Sequence, residues 1–505
     1  MIEQFLIELQ RSVSIFKPEF ALVVTFLVAI IFDLIFKKSK NISGIIAILG
    51  FIVTFILMLW QDNSNQSAFS KILSIDPFAQ FFKYIILISS FIVVWMSFYY
   101  KELFANNRKV GEYYSLIVGM TFGMFLLAGS NNLLMVYLAI ETMSISSYIL
   151  AGYTKEIHRA SEASLKYVIF GAVSSGIMIY GISILYGLTG SLNLFEINQS
   201  IQNGQVNHWA LLISSIMIIA GIGYKISAVP FHFWTPDVYE GAPTTITALL
   251  SVASKAAGFA ILIRFIKAGF IDINSLNDQS IWALLPLMSN LDWHFIIAVL
   301  SVLTMTLGNL VALWQSNLKR LLAYSSIAHA GYMLMAVSVM SDIGVVAVLV
   351  YFVFYLFMNL GAFLIVILLA NQIQSEDIDD YKGIGYRAPV LGVLMVIFMI
   401  SLTGLPPTAG FIGKLYVFAA VIDAGYILLA VIGILNSVVS LYYYVKVLRN
   451  MYIRGVEENE NKEPYEFNPG AVVLVVLLAI PTLLFGIYWG PIVQWAQNSI
   501  TILLS

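Results

Sequence analysis

The sequence contains no cysteine and few charged residues. With no cysteine among its 505 residues, the chain forms no disulfide and offers no thiolate to an iron–sulfur cluster and no attachment site for a c-type haem. Charged residues make up only 11% of the chain, against about 25% in soluble domains. The formal net charge of -2, with no long block of lysine and arginine, argues against a nucleic-acid partner. The composition therefore excludes an ordinary soluble domain.

Apolar residues take the place of the missing charge. The chain is 60% hydrophobic and 14% aromatic, and its mean hydropathy is +0.88. Apolar stretches of about 20 residues recur along it, which is the length that a helix needs to cross a bilayer. We therefore predict an all-α, polytopic membrane protein. Residues 1–20 lack the basic segment and small-residue cleavage site of a signal peptide, so we expect the first spanning helix to direct insertion.

Fourteen spanning helices are predicted, each ending at polar residues or at glycine and proline. The predicted spans are residues 19–36, 43–60, 78–100, 113–129, 131–152, 161–188, 208–240, 243–270, 292–313, 319–340, 343–371, 386–423, 425–451 and 469–495. No connection between them is long enough to form a soluble domain, so residues 1–505 are predicted to form a single membrane domain.

Lysine and arginine are concentrated in alternate connections between these spans. The basic connections carry Lys37, Lys38, Lys40, Lys101, Arg108, Lys109, Lys155, Arg159, Lys319, Arg320, Lys382, Arg387, Arg449, Arg454 and Lys462. By the positive-inside rule these connections lie in the cytoplasm, which puts both termini on the other side and requires an even number of helices. Arg264 and Lys267 are the local exception.

Two predicted spans are unusually long and contain proline. Pro230 interrupts the seventh span, and Pro406 with Pro407 interrupts the twelfth. Proline frees a backbone carbonyl, and such irregular backbone is tolerated at membrane depth only where protein or a water-filled cavity satisfies it. We therefore expect both breaks to mark hydrated or ion-binding positions.

The two breaks lie five helices apart, which predicts an internal repeat. Residues 113–270 and 292–451 each hold five predicted helices, of which the fourth is broken. Because five is odd, the two units have opposite orientations in the membrane, as in many transporters. Three helices within residues 1–112 precede the first unit, and one helix, 469–495, follows the second.

Ionisable residues near the middle of apolar spans are the strongest functional signal. A charge at the bilayer centre costs about 2.5 to 3.5 kcal/mol on insertion scales, so such residues are functional by default. They are Glu141, Lys225, Lys255, His329 and Lys414. An ammonium group in water keeps its proton at neutral pH, but burial disfavours the charged form, so buried lysines can exchange protons. The row predicts a path for ions or protons.

Structural roles compete with this interpretation at several positions. Glu141 and Lys225 could fasten two helices as an ion pair, and His329 could simply hydrogen-bond a neighbouring helix. Lys166, close to the cytoplasmic end of its span, is either an uptake or modulating residue or a lysine that extends toward the headgroups. Asp237 and Glu240, after the first break, are expected to cap the next helix.

Motifs for other chemistry are absent. The stretch GFIGKL at 410–415 superficially resembles a phosphate-binding loop, but Thr408 stands where the first glycine is required and Leu415 where serine or threonine is required. The five histidines show no paired spacing that would support haem or metal binding.

Three stretches carry a resemblance to a known family. They are KISAVPFHFWTPDVYEGAPTT at 225–245, LKRLLAYSSIAHAGYML at 318–334 and SLTGLPPTAGFIGKLYVF at 401–418. Together they resemble the antiporter-like membrane subunits of complex I, the proton-pumping NADH:quinone oxidoreductase. The resemblance covers nearly the whole chain and is strongest over 113–451. Among the paralogues, the chain most resembles the one with lysine at the position of Lys414 and no long lateral helix.

This resemblance implies roles for the buried residues. It implies an ion pair of Glu141 with Lys225, a connecting Lys255 and a terminal Lys414. His329, whose side chain ordinarily titrates near neutral pH, is expected to bridge the two halves through water. The expected function is proton translocation coupled to quinone reduction in partner subunits.

The resemblance also implies the surroundings of the chain. Neighbouring membrane subunits are the expected partners, and FMN, iron–sulfur clusters and quinone are expected in partner subunits, with no cofactor in this chain. The expected location is a bacterial inner membrane. Two alternatives stay open: a subunit of a multisubunit sodium/proton antiporter, and a non-pumping scaffold that joins partner subunits.

Overall fold

The structure is a computed structural model that describes residues 2–36, 41–61, 65–204, 206–272, 282–289, 292–455 and 463–502. Four of the basic residues used to predict the topology, Lys37, Lys38, Lys40 and Lys462, lie outside the described residues. The described part of the chain is mostly helical, as predicted.

Helices account for nearly all of the regular structure. They are α1 (Ile2–Ile15), α2 (Lys17–Ile35), α3 (Ile42–Leu59), α4 (Pro77–Ser97), α5 (Gly111–Gly129), α6 (Leu133–Ala151), α7 (His158–Thr189), α8 (Leu194–Gln202), α9 (His208–Ile226), α10 (Trp234–Gly241), α11 (Thr244–Phe270), α12 (Trp293–Ala312), α13 (Leu318–Ser338), α14 (Asp342–Ile373), α15 (Pro389–Thr403), α16 (Ala409–Asp423), α17 (Ile427–Tyr452), α18 (Pro469–Ile487) and α19 (Gly490–Asn498). Short 3-10 turns (Lys101–Asn107, Ile378–Tyr381), a helical turn (Ile384–Arg387) and an antiparallel hairpin of β1 (Gln66–Ala68) and β2 (Leu73–Ile75) complete the described structure.

The predicted number of spans is confirmed. Within the described residues, thirteen helices are long and apolar enough to cross a membrane, and α15 with α16 forms the fourteenth crossing. The prediction for the last span is wrong in extent: α18 ends at Ile487, and α19 begins separately at Gly490 with a proline in its first turn. Proline has no N–H to continue the hydrogen-bond ladder of α18, so it starts a new helix instead.

The connections sort onto two faces of the helix bundle. At one face, which we call the basic face, the connections with Lys101, Arg108, Lys319 and Arg387 meet. Arg108 pairs with Glu156 there at 2.5 Å. Both ends of the described chain lie at the opposite face. Ser12 in α1 accepts a hydrogen bond from the N–H of Phe69 in the hairpin, and the carbonyl of Ile500 accepts one from Lys267 near the end of α11. This arrangement agrees with an even number of crossings.

Two matched connections relate the five-helix units. Asn132 caps the first turn of α6 and forms a bridge with Asn193 after α7. In the same way, Asn317 caps α13 and forms a bridge with Asp377 after α14. The first connection is at the opposite face and the second is at the basic face, so the two units are inverted relative to each other.

In each five-helix unit, a glycine of the first helix lies close to the backbone of the second helix. A side chain at Gly123 in α5 would lie 2.8 Å from the backbone nitrogen of Met143 in α6. A side chain at Gly308 in α12 would lie 2.7 Å from that of Ala328 in α13. Small residues at these crossings let the first two helices of each unit approach closely, as is common in membrane bundles.

Three helices form the centre of the bundle. In the most apolar stretch of α11, α13 and α14, 94 to 100% of the residues are buried. In the corresponding stretch of α2, α7 and α17, only 28 to 39% are buried. The outer helices carry exposed leucine, isoleucine and valine side chains that suit contact with lipid or with another subunit. The central position of α11 and α13 explains why they can carry ionisable groups at membrane depth.

Candidate functional site

The first break separates α9 from α10. Helix α9 ends at Ile226, and Ser227 adopts a left-handed conformation with φ +62°. The carbonyl of Tyr224 accepts a hydrogen bond from the indole of Trp234 at 3.0 Å, and the N–H of Val229 donates to Thr304 on α12 at 3.0 Å. Side chains thus satisfy the backbone at the interruption beside Pro230.

Lys225 occupies the last turn of α9, directly before this break, and is buried. Its ammonium group has no hydrogen-bond partner among the described residues. It lies 5.3 to 5.6 Å from the ring centroids of Tyr148, Tyr167 and Tyr224. The face of an aromatic ring attracts a cation electrostatically and does not require a hydrogen bond of fixed geometry. The three rings therefore stabilise the charge of Lys225 without fixing its ammonium group by a hydrogen bond.

Glu141 on α6 does not form the direct ion pair with Lys225 that the resemblance implies. In the described residues no nitrogen of a cationic side chain lies within 4.0 Å of a Glu141 oxygen. Instead, Glu141 accepts a hydrogen bond from Ser175 on α7. Helix α6, with Glu141, and helix α9, with Lys225, both pack against α7, so the interaction of the two groups in this conformation acts across a gap.

Lys255 follows a π-helical turn, Leu250–Ser254, within α11. It is fully buried, and its ammonium group donates to the carbonyl of Ser326 on α13 at 2.7 Å. π-Turns inside helices occur frequently at functional sites because they change the direction of side chains and free a backbone carbonyl. This turn gives Lys255 its position between the two units.

His329 on α13 is buried and bonded through both ring nitrogens. Its Nδ1 lies 2.7 Å from the hydroxyl of Tyr351 on α14, and its Nε2 lies 3.2 Å from that of Tyr444 on α17. The Tyr444 hydroxyl also bonds Ser325, 2.5 Å away. The imidazole is therefore part of a hydroxyl chain that links three helices. This network is compatible with both the bridging role and the structural role that the sequence left open.

The second break, between α15 and α16, holds Lys414 by its freed backbone. The ammonium group donates to the carbonyl of Thr403, the last residue of α15, at 2.7 Å and to the hydroxyl of Ser437 on α17 at 2.8 Å. It also lies 4.7 Å from the ring centroid of Tyr332 on α13. The broken helix thus supplies an acceptor to a buried lysine, a contact that the sequence did not reveal.

One side of α13 connects these groups. Ser326 accepts from Lys255, His329 follows three residues later, and the ring of Tyr332, three residues further, contacts Lys414. Residues three apart on a helix are neighbours. The side chains from Lys255 to Lys414 therefore form one row through the second unit. On the other side of Lys255, α11 packs closely on α9: a side chain at Gly258 would lie 3.7 Å from the Cβ atom of Lys225.

Asp237 and Glu240 do not cap the next helix, so that prediction is wrong. Asp237 pairs with Lys166 at 2.6 Å and with Arg320 at 2.7 Å. Glu240 pairs with Arg320 at 2.8 Å and with Arg159 at 3.5 Å. The residue before α11 that takes the capping position is proline. A preference for capping describes local neighbours only, whereas Arg320 reaches these carboxylates from a distant part of the chain. Lys166 is held by these charges and does not extend freely.

Two buried ion pairs were not predicted as pairs. Glu19 in α2 and Lys83 in α4 lie 2.5 Å apart, both almost completely buried. Arg264 in α11 makes a bidentate contact with Asp76, with distances of 2.8 and 2.9 Å, and both side chains are fully buried. The sequence contained a signal for the second pair, because Arg264 departs from the concentration of basic residues in alternate connections. For the first, Lys83 inside a predicted span was a signal that went unused.

The donor set suits protons better than metal ions. Within the ranges that the structure describes, no three or more His, Asp or Glu side chains lie close enough together to hold a metal ion. The buried groups are instead ammonium, imidazole and phenol groups joined by hydroxyls, which accept and release protons. Such a row can move a proton in the plane of the membrane by short side-chain shifts.

The fold and this site define a class of membrane protein: inverted-repeat ion translocators whose discontinuous helices place charged groups near the midplane. The family comparison narrows the class. The chain belongs to the NADH:quinone oxidoreductase/Mrp antiporter transmembrane family, which matches residues 130–440.

Individual relatives agree with this assignment. The chain is 47% identical to NADH-quinone oxidoreductase subunit N 2 of Chloroherpeton thalassium, with 99% of the chain and 97% of the relative covered. That name matches the paralogue that the sequence resembles, which is called subunit N. Among solved structures, respiratory complex I from Thermus thermophilus matches with a TM-score of 0.75 and 29% identity, covering 94% of this chain and 98% of that one. The Mrp complex from Dietzia matches with a TM-score of 0.78 and 16% identity, with 96% of each chain covered, and so shares the fold.

Proposed function

We propose that this chain is a proton-translocating membrane subunit of a proton-pumping NADH:quinone oxidoreductase. The observation that carries the proposal is the row of buried groups from Lys255 through α13 to Lys414, in which each lysine is bound by a backbone carbonyl. A carbonyl accepts from the ammonium form and offers no negative charge that would keep the proton in place. These lysines can therefore act as carriers, whereas a lysine fixed by a carboxylate could not release its proton easily.

Each buried residue has a part in this proposal. Lys225, beside its tyrosines, is the carrier of the unit 113–270, and Glu141 controls it through charge. Lys255 connects the units, His329 relays protons through its hydroxyl partners, and Lys414 is the terminal carrier of the unit 292–451. As the distance between Glu141 and Lys225 changes, the attraction that favours the charged lysine changes with it. Lys166 modulates the first unit from the basic face through Asp237.

Partner subunits carry the redox chemistry. FMN, iron–sulfur clusters and quinone belong to those subunits, and this chain binds none of them. Its exposed apolar helices contact lipid and the neighbouring antiporter-like and small membrane subunits. The complex resides in a bacterial inner membrane with the basic face in the cytoplasm. Energy from quinone reduction reaches the row as electrostatic and conformational change.

Substitution of the carriers tests the proposal. In the assembled complex, reconstituted in vesicles, Lys225→Ala and Lys414→Ala should each lower the number of protons pumped per electron. Lys446→Ala is the matched control, because Lys446 lies near the end of α17 and, among the described residues, donates only to the backbone of Gln315. Pumping equal to the control in both carrier variants would show that the assignment of Lys225 and Lys414 as carriers is wrong. Purification of the tagged chain in mild detergent should also recover flavin, iron–sulfur subunits and NADH:quinone reductase activity.

Sodium/proton exchange is the second candidate function, because the family and the fold also include Mrp antiporters. Sodium requires several oxygen ligands in place of its water shell. Among the described residues, the oxygens that accept hydrogen bonds from Lys414 are those of Thr403 and Ser437. Purification with antiporter subunits and no redox centre, together with transport that requires sodium, would favour this function over the first.

A further inference from the structure

A polar cavity of about 780 Å³ opens at the basic face, between the two repeat units. Its lining includes Arg159 and Glu240 from the first unit and Lys319 and Glu376 from the second. Exposure falls with depth: 73% of the Arg159 side chain is exposed, against 22% for Glu376 and 4% for Lys319. Lys319 therefore marks a buried inner end of the cavity.

An ion pair closes this inner end. Lys319 lies 3.2 Å from Glu376 and donates to the carbonyl of Ala242 at 2.8 Å. Thr244, the first residue of α11, lies behind the pair, with its hydroxyl 3.5 Å from the same Glu376 oxygen. The pair thus stands between the cavity and the beginning of a helix that is buried over its whole length.

A line of polar residues runs along one face of that helix. Thr244, Thr247, Ser251 and Lys255 follow one another at intervals of three, four and four residues, which places them on the same face of a helix. All four are buried. We call them the polar stripe. Its two ends are the Glu376 carboxylate at the cavity and the Lys255 ammonium group in the middle of the bundle.

Buried polar atoms beside the stripe retain free hydrogen-bonding capacity. Ser251 accepts from the side-chain amide of Asn359 on α14 at 2.6 Å, but the amide oxygen of Asn359 has no partner among the described residues. The hydroxyl of Ser326, whose carbonyl binds Lys255, also has no partner in the described ranges. Buried polar atoms of this kind are normally paired with protein or with ordered water. These atoms are suited to hold water along the stripe.

We propose that protons from the basic face reach Lys255 along the polar stripe, and that the Lys319–Glu376 ion pair controls access to it. This rests on the proposed function, in which Lys255 is a carrier. It places uptake at the junction of the two units. Lys166, for which the sequence left an uptake role open among other roles, does not line the cavity in the described structure and is held by Glu162 and Asp237.

The absence of cysteine in the chain allows a direct test. Thr247→Cys places a thiol on the stripe, and Ile246→Cys places one at the same depth on another face of α11, where the side chain is also buried. Silver ion is added to the basic face of vesicles that hold the assembled complex, and modification of the tagged chain is followed by mass. Thr247→Cys should react about tenfold faster or more, because a close-packed apolar face excludes ions and water.

The ion pair is tested in the Thr247→Cys background. Glu376→Gln removes the charge that holds Lys319 and should accelerate modification. Asp377→Asn is the matched control, because Asp377 lines the same cavity but makes no ion pair with Lys319 in the described structure. Equal rates for Glu376→Gln and Asp377→Asn would overturn the part of the proposal that concerns the ion pair.

Ser251→Cys provides a second position if Thr247→Cys prevents assembly. Reaction as slow as that of Ile246→Cys at both stripe positions would overturn the route, and so would faster reaction from the opposite face. These rates do not depend on pumping. An accessible stripe combined with normal pumping in Lys225→Ala and Lys414→Ala would contradict the proposed function and leave the route standing.

Discussion

The ammonium group of Lys414 donates a hydrogen bond to the carbonyl of Thr403 across the break between α16 and α15, at 2.7 Å. That carbonyl is free because α15 ends at Thr403. The interruption of the helix and the binding of the lysine are therefore one structural feature. A continuous helix would direct this carbonyl to its own backbone and leave the lysine without the acceptor.

Ser437→Ala should weaken the hold on Lys414. The serine hydroxyl is the other acceptor of this ammonium group, 2.8 Å away. A hydrogen bond contributes about 1 kcal/mol net, or about fivefold in the balance between held and released lysine. Protons pumped per electron should fall, by less than in Lys414→Ala. Ser440→Ala on the same helix is the control, since its hydroxyl bonds the backbone of Ser437. Identical pumping in the two serine variants would contradict this role.

Glu141→Gln separates charge from hydrogen bonding. Glutamine retains an oxygen that can accept from Ser175, but it carries no charge to act on Lys225. If charge is the control, the variant should lower protons pumped per electron about as far as Lys225→Ala does, while the complex remains assembled and oxidises NADH. Ser175→Ala, which keeps the charge, should pump more than Glu141→Gln. The reverse order would assign the hydrogen bond, and not the charge, as the important interaction.

Loss of one partner from the Arg264–Asp76 pair should destabilise the chain. Both side chains are fully buried, so Asp76→Asn leaves a charged guanidinium without its counter-charge. Breaking a buried pair in this way costs about 3 to 5 kcal/mol. The measurement is thermal unfolding of the purified protein in detergent. The double variant Arg264→Met with Asp76→Leu should recover much of the loss, because no buried charge then remains unpaired. A single variant that unfolds at the temperature of the parent would contradict the prediction.

Gly308→Ala should also lower stability, by overpacking. The added carbon would lie 2.7 Å from a backbone nitrogen of α13, and the backbone cannot move aside easily. Overpacking of this kind costs about 1 to 3 kcal/mol. Gly187→Ala in α7 is the control, because nothing lies within 4 Å of that position. Equal unfolding temperatures for the two variants would show that α12 and α13 separate without cost.

Much of the fold could be predicted because hydrophobic length and proline are local signals. Each membrane crossing is recorded as an apolar run, and the second break is recorded by Pro406 and Pro407 within such a run. Helix α1 and the β-hairpin, which do not cross the membrane, were harder to predict. Helix α1 mixes polar and apolar residues in a short segment, so no long apolar run marks it. The hairpin strands have only three residues each, too few to show alternation.

The candidate site was predictable in its residues but less so in its contacts. Burial of a charge leaves a trace in the sequence, because an ionisable residue interrupts an apolar run, and this identified Lys255 and His329. The partner of a buried charge lies on another helix and leaves no such trace. For this reason Ser175 was not anticipated as the partner of Glu141, and Arg320 was not anticipated as that of Asp237. The π-turn before Lys255 follows from tertiary packing and has no distinct sequence pattern.

The ion-pair network around α10 restricts how the protein can move. Asp237 binds α10 to both α7 and α13 through Lys166 and Arg320, and Glu240 adds a second contact to Arg320. A rocking motion of one unit against the other would have to break both contacts of Arg320, because the Lys166–Asp237 pair lies within the first unit. These contacts therefore hold the two units together at the basic face and restrict their movement relative to each other. A displacement in a neighbouring subunit would therefore be transmitted to the buried row as small shifts of charged groups, and not as a large rotation of one unit against the other.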